Sequence, residues 1–126
     1  MVKKIYIAED QPLHAELVQA AFEGEANYQL FFFGDGLSAY QRVQETPPDL
    51  MILDIILPNL SGLAVTRLLK YHDHYSKIPI LVVSSIIDPG IKETALKAGA
   101  DQFLPKPFQV KELLDAVKKL LEDRPN

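Results

Sequence analysis

Cysteine is absent from all 126 positions. Disulfides and thiolate metal sites are therefore excluded, and a reducing compartment is compatible with the chain. Basic runs are missing too. Thirteen Lys and Arg stand against seventeen Asp and Glu, for a formal charge of -4. That balance offers no electrostatic footprint for a nucleic-acid backbone. No long apolar segment occurs. After Lys3 and Lys4 only four apolar residues precede Glu9, too few for a signal peptide or a membrane span. Repeats, low-complexity tracts and internal linkers are also lacking. The expectation is one soluble, cytoplasmic domain over residues 1–126, with no direct contact to nucleic acid or membrane. The tail Asp123-Arg124-Pro125-Asn126 reads as a frayed end or the start of a linker.

What is present is an apolar fraction of 48%, arranged in five short runs that alternate with five amphipathic stretches. The runs are Lys4–Ala8, Tyr28–Phe33, Leu50–Asp54, Pro79–Ser84 and Gln102–Leu104. The third and fourth show little polar alternation, which suits central parallel strands covered on both faces. The first helix is expected from Pro12 to before Gly24, with proline just inside its start and glycine past its end. Its core face is read as Leu13, Leu17 and Ala21, with Val18 and Phe22 beside them. Further helices are expected at Leu37–Gln44, from Gly62 to about His72, between Gly90 and Gly99, and over Val110–Glu122. The last carries a stripe of Val110, Leu113, Leu114, Val117, Leu120 and Leu121, with Lys111, Asp115 and Lys119 facing water at i,i+4 spacing.

Strands alternating with helices predict an α/β fold: a doubly wound, five-stranded parallel sheet with five helices. In the common flavodoxin-like order 2-1-3-4-5, the first and third strands flank the point where ligands bind. Glu9 and Asp10 close the first run and Asp54 closes the third. Three carboxylates at one sheet edge repel one another and call for a cation. A hard ion such as Mg2+, with Mn2+ as a substitute, suits an oxygen-only site and recruits phosphate oxygens. Ser84 closes the fourth run, and Lys106 follows the fifth between two prolines. Alone, each residue has a plainer reading: Asp10 as a helix cap, Asp54 as a loop start, Ser84 bonding its own backbone, Lys106 as a loop lysine. Together they place a carboxylate nucleophile beside a lysine charge and a hydroxyl donor.

These residues resemble the receiver domains of two-component response regulators, the CheY-like family. The resemblance runs through Ile7-Ala8-Glu9-Asp10, Leu53-Asp54 to Ser61-Gly62, Pro79 to Ser84-Ser85, Lys97-Ala98-Gly99-Ala100-Asp101 and Phe103-Leu104-Pro105-Lys106-Pro107-Phe108. It covers essentially the whole chain. It implies that Asp54 accepts a phosphoryl group from a phosphohistidine, on a sensor histidine kinase or a histidine phosphotransfer protein. It implies metal ligands at Asp10, Asp54 and the Ile56 carbonyl, with Glu9 acting directly or through water. Ser84 and Phe103 match a coupled switch, and Lys106 the family lysine, with a cis bond to Pro107. The implied output is a changed surface on the fourth helix, fifth strand and fifth helix, read by a downstream protein or output domain. The chain would catalyse only its own aspartyl phosphorylation and dephosphorylation, and is otherwise no enzyme. The last helix leaves room for a homodimer.

Some positions depart from the family pattern. Ser85 stands where a small alanine is usual, and Phe103 lacks a tyrosine hydroxyl. Ile56 and Ile86 occupy places that often carry polar groups, and are read as restricting the attacking water. His72-Asp73-His74 reads as a solvated helix end, His14 as an exposed helix residue, and Leu30–Phe33 as core packing on an edge strand. Three rivals stay open. A flavin-type cofactor binder would need an anion loop in place of Glu9-Asp10. An aspartate-nucleophile phosphatase would need a second aspartate where Ile56 stands. A pseudo-receiver would act by protein binding alone, without phosphorylation.

Overall fold

In a computed structural model that describes residues 1–122, the five apolar runs form five strands. These are β1 (Lys3–Ala8), β2 (Tyr28–Phe33), β3 (Leu50–Asp54), β4 (Ile80–Ser84) and β5 (Gln102–Pro105). Between and after them lie α1 (Pro12–Ala21), α2 (Gly36–Glu45), α3 (Gly62–Lys70), α4 (Ile91–Ala98) and α5 (Val110–Glu122). All strand pairings are parallel, in the order β2-β1-β3-β4-β5. The expected α/β architecture is therefore present. The tail Asp123–Asn126 lies outside the described residues.

Continuous apolar composition explains the central strands. Every residue of β3 and β4 is buried, because helices cover both faces. Leu50, Ile52, Leu81 and Val83 pack on one side with Val18, Ala21 and Phe22 of α1 and Leu113, Ala116 and Val117 of α5. Met51, Leu53, Ile80 and Val82 pack on the other with Ala39 and Val43 of α2, Val65 and Leu69 of α3, and Ala95 of α4. Burying each such Leu or Ile contributes about 1.5–3 kcal/mol, against about 1 kcal/mol for a helix cap. Packing of the two apolar layers, more than local propensity, thus sets the sheet.

Helix ends follow side-chain chemistry. Asp35 accepts the Ser38 N–H at 2.6 Å and starts α2 one residue before the expected Leu37. Ser61 accepts the Ala64 N–H at 3.1 Å and starts α3. Helix α3 stops at Lys70, short of His72, whose ring stacks on Tyr75 at 4.6 Å in the following turn. Gly99 ends α4 with φ +113°, a left-handed conformation open to glycine.

The face of α1 differs from the expectation. Leu13 and Leu17 are 64% and 58% exposed, whereas Val18, Ala21 and Phe22 are buried. The latter three present the i, i+3, i+4 triad that meets Ile5 and Ile7. Val110, counted in the stripe of α5, is likewise exposed, while Leu113 and Val117 are buried. Edge strand β2 is divided: Phe31 and Phe33 pack on the core and on Tyr6, and Phe32 faces outward.

Candidate functional site

Side-chain alternation along the strands selects the site. Ile5 and Ile7 of β1, and Leu50 and Ile52 of β3, face α1 and α5. Glu9 and Asp54 continue those two rows at the carboxyl edge. Glu9 is still tied to the sheet by its N–H to the Phe33 carbonyl at 2.9 Å. Both carboxylates are buried, at 7% exposure each. Lys106 is brought to them by its own backbone N–H, which donates to the Ser84 carbonyl at 2.8 Å and extends the β4–β5 pairing past Pro105. Its Nζ donates to Glu9 Oε1 at 2.5 Å and to Asp54 Oδ2 at 2.7 Å. His14 Nδ1 lies 3.0 Å from the same Nζ and 3.6 Å from Glu9 Oε1. One ammonium thus stands at the meeting point of two carboxylates and an imidazole.

Burial works against the charged form of Lys106. The hydrogen bonds and charges of Asp54 and Glu9 outweigh it, and hold the ammonium above the ordinary lysine range. The lysine is therefore a permanent positive charge at the Asp54 carboxylate.

The other expected site residues lie around this core. Asp10 is exposed on the loop after β1. Among the described residues, the group whose ligand atoms all lie within 4.8 Å of one another is Glu9, His14 and Asp54, without Asp10. The Ile56 N–H points to Asp54 Oδ1 at 3.4 Å, and the Ile56 side chain is 63% exposed. Ser84, 1% exposed, accepts the Ile86 N–H on its Oγ at 3.0 Å. That bond leaves the hydroxyl's own hydrogen as a donor. Ser84 continues the Ile80–Val82 row and Phe103 pairs with Val82, so both lie on the α2–α4 side of the sheet. Phe103 is half-buried against that core. Ser85 is exposed, and the Lys106–Pro107 bond is cis.

The donor set fits a divalent cation. The carboxylates of Glu9 and Asp54 at one sheet edge are hard oxygens of the kind such an ion takes, while Asp10 lies exposed on the adjoining loop, outside that group. Beside them an apolar cavity of about 310 Å3 lies between α1 and the β5–α5 connection, lined in part by Ile7, Leu17, Phe108 and Val110, with Glu9 and Lys106 as polar neighbours. The sequence reading took His14 as an exposed helix residue, whereas its side chain is 30% exposed and its Nδ1 reaches Lys106 and Glu9. The signal was available: the first turn of a helix that directly follows a parallel strand abuts that strand's carboxyl edge. His72 and His74, by contrast, stay together in a surface turn, where His72 Nδ1 accepts the His74 N–H.

Residues 5–118 match the response regulator receiver domain family. The polar-differentiation response regulator DivK of Brucella anthropi is 32% identical over 123 residues, covering 98% of this chain and 99% of DivK. The signal receiver domain of a signal transduction histidine kinase from Syntrophus aciditrophicus shares 32% identity at a TM-score of 0.89, covering 99% of this chain and 96% of that one. The receiver domain of sensor histidine kinase PA1611 from Pseudomonas aeruginosa, with a magnesium ion coordinated in its active-site cleft, has a TM-score of 0.88 at 24% identity; it covers 98% of this chain and is itself covered fully, at 100%. Among the described residues no helix is long and apolar enough to cross a membrane. From a CheY-like strand order, a lysine-bridged acid pair at the switch point and a family match over most of its length, the chain belongs to the response regulator receiver domains of two-component signalling.

Proposed function

We propose that the domain is a phosphoacceptor whose Asp54 takes a phosphoryl group from a phosphohistidine. The donor is a sensor histidine kinase or a histidine phosphotransfer protein. The observation that carries this reading is Asp54 itself: buried at the carboxyl end of β3, and held at one oxygen by the Lys106 ammonium at 2.7 Å. An Asp54 oxygen attacks phosphorus as the nitrogen–phosphorus bond of the donor breaks. Lys106 offsets the negative charge that gathers on the phosphoryl oxygens. Glu9, Asp10, Asp54 and the Ile56 carbonyl would hold Mg2+ or Mn2+, which when bound supplies further charge neutralisation at the phosphoryl oxygens.

Readout follows from the two faces of the sheet. The Ser84 hydroxyl sits at the end of β4, one strand from Asp54, and donates to the new phosphoryl oxygen. Phe103 shares the Ser84 face on the neighbouring strand and repacks as Ser84 shifts. The altered surface lies on α4, β5 and α5, where a downstream protein or output domain binds. Coupling of this kind is typically about 1–3 kcal/mol, enough to bias a two-state surface. The domain catalyses its own phosphorylation and its slow hydrolytic reset, and turns over no diffusible metabolite. Its place is the cytoplasm, with the kinase.

Intact mass after incubation with Mg2+ and a small phosphodonor tests this. Wild type should gain one phosphoryl group and Asp54→Ala none. A gain that survives Asp54→Ala, or no gain in wild type, rejects the reading; the latter leaves a pseudo-receiver.

A further inference from the structure

A lysine ammonium carries three N–H donors and no acceptor. Three side-chain atoms meet that of Lys106: Glu9 Oε1 at 2.5 Å, Asp54 Oδ2 at 2.7 Å and His14 Nδ1 at 3.0 Å. Since the ammonium can only donate, His14 Nδ1 accepts, and the ring proton sits on Nε2. We propose that His14 is a positioning residue for Lys106: its neutral ring accepts the third ammonium hydrogen and holds the charge in place while the bond to Asp54 is exchanged for one to the phosphoryl group.

Burial makes the third bond matter. The Lys106 side chain is 9% exposed, and those of Glu9 and Asp54 are 3% and 10% exposed. An ammonium N–H buried without an acceptor is costly. The cavity beside Lys106 is walled by Leu17, Val18, Phe108 and Val110, so a water in place of the ring would meet mostly apolar surface. A third carboxylate would satisfy the N–H, yet it would add negative charge beside a pair of carboxylates that already repel each other. An imidazole nitrogen satisfies it without charge.

The scaffold suits the role. Lys106 lies on the connection after β5, at the end of a flexible four-carbon stem. His14 sits in the first turn of α1, which Pro12 opens and the Ala15 N–H closes on the Gln11 carbonyl at 3.0 Å. The Gln11 N–H also donates to Glu9 Oε2 at 3.2 Å. Residues 9–14 thus supply two of the three acceptors from one short segment. A side chain mounted on a helix is placed more precisely than one on a loop.

The consequence for phosphoryl capture rests on the phosphoacceptor reading. When Asp54 is phosphorylated, the ammonium turns from Asp54 Oδ2 to a phosphoryl oxygen. His14 takes no part in the bond exchange at phosphorus and keeps its hydrogen bond, which limits how far the ammonium swings.

Nitrogen-15 NMR on the whole chain tests the anchor without any phosphodonor. His14→Leu keeps apolar bulk and removes the acceptor, whereas His14→Asn puts an amide oxygen where Nδ1 stands. Exchange of the Lys106 ammonium hydrogens with solvent should quicken about 10-fold in His14→Leu, as for loss of a hydrogen bond to a charged group. In His14→Asn it should stay near wild type. The wild-type His14 ring should carry its proton on Nε2. The second readout is phosphorylation rate against the concentration of a small phosphodonor. His14→Leu should lower the limiting rate about 10-fold, less than the roughly 100-fold that a misplacement of about 1 Å can cost. The half-saturating concentration should not change, and His14→Asn should restore the rate.

Equal ammonium exchange in wild type and His14→Leu overturns the proposal. So does a wild-type ring protonated on Nδ1, a measurement that needs no variant to fold. An equal loss in both variants makes His14 a packing residue and overturns it too, as does an unchanged limiting rate in a His14→Leu protein whose exchange has quickened. A wild type that takes up no phosphoryl group rejects the phosphoacceptor reading instead, and exchange and ring proton then still decide whether His14 anchors Lys106.

Discussion

Gly62 stands so close to Asp54 that a Cβ on it would lie 1.9 Å from the Asp54 carbonyl oxygen. The glycine opens α3 and its N–H donates to the Ile55 carbonyl at 2.9 Å, so helix and strand end are pressed together. The residue that ends β3 is thus aimed by the absence of a side chain eight positions later.

Gly62→Ala should therefore push the β3–α3 connection aside. A loss of about 1–3 kcal/mol is expected, the usual cost of overpacking a tight contact. Phosphorylation at Asp54 should fall by more than the unfolded fraction accounts for. Thermal melts with and without phosphodonor check this, and a melting temperature equal to wild type would show that the connection yields freely.

Lys106→Met should leave two buried carboxylates facing each other. Breaking a buried pair costs about 3–5 kcal/mol, and partial solvent access lowers this to about 2–3. Saturating Mg2+ should recover most of the loss in denaturant melts, since it replaces the missing positive charge. In wild type the lysine is raised above its ordinary value by Asp54 and Glu9 despite burial. Its stabilisation is present at every pH below the ordinary lysine range. It disappears only as pH climbs through the raised folded value. A wild-type stability that declines between pH 6 and pH 9 from this group would contradict the assignment.

The acid limb should involve Asp35. Its carboxyl is held below the usual carboxylate range, first by the Ser38 N–H and then by the Ser38 hydroxyl and Asn59. A depressed folded value contributes stability above the ordinary carboxylate value, lost as pH falls through the folded one. Asp35→Asn keeps a capping side chain but not the charge. Urea melts should show wild type ahead of the variant at pH 7 and by a smaller margin at pH 3, below the ordinary carboxylate value. An equal gap at both pH values would assign the difference to something other than charge.

Ile56 lies exposed two residues past Asp54, and Ile86 donates its N–H to Ser84 Oγ, so on the phosphoacceptor reading both stand near the proposed phosphoryl position. Replacing both with Asn should speed loss of phosphate by admitting and orienting water. The gain should stay below the roughly 100-fold that a positioned proton acceptor supplies. Phosphoprotein half-life by mass measures it, and an unchanged half-life removes the isoleucines from the reset step.

How much was legible varies by residue. The runs Leu50–Asp54 and Ile80–Ser84 were readable because strands buried on both faces need unbroken apolar sequence. Glu9, Asp54, Ser84 and Lys106 were readable because each follows such a run, and run ends gather at one sheet edge. Leu13 and Leu17 misled, since apolar spacing marks a helical stripe without saying how far the sheet beneath it extends. Lys70 gave no sign of its role: its Nζ binds the Ser76 and Ile78 carbonyls and Asp101, 31 positions away, clamping the approach to β4.

Local order of polar and apolar residues by itself determined the strand count, the parallel architecture and that Glu9 and Asp54 reach the same sheet edge, though not that Asp10 stays outside their cluster. Those properties depend on periodicity and burial, which are written along the chain. Tertiary structure alone decided that His14 joins Glu9, Asp54 and Lys106, and that Gly62 and Gly36 must lack side chains against the Asp54 and Leu60 carbonyls. Contacts of a few ångströms between distant segments depend on how helices are rotated and seated on the sheet. No run or spacing encodes that rotation until the two apolar layers have closed.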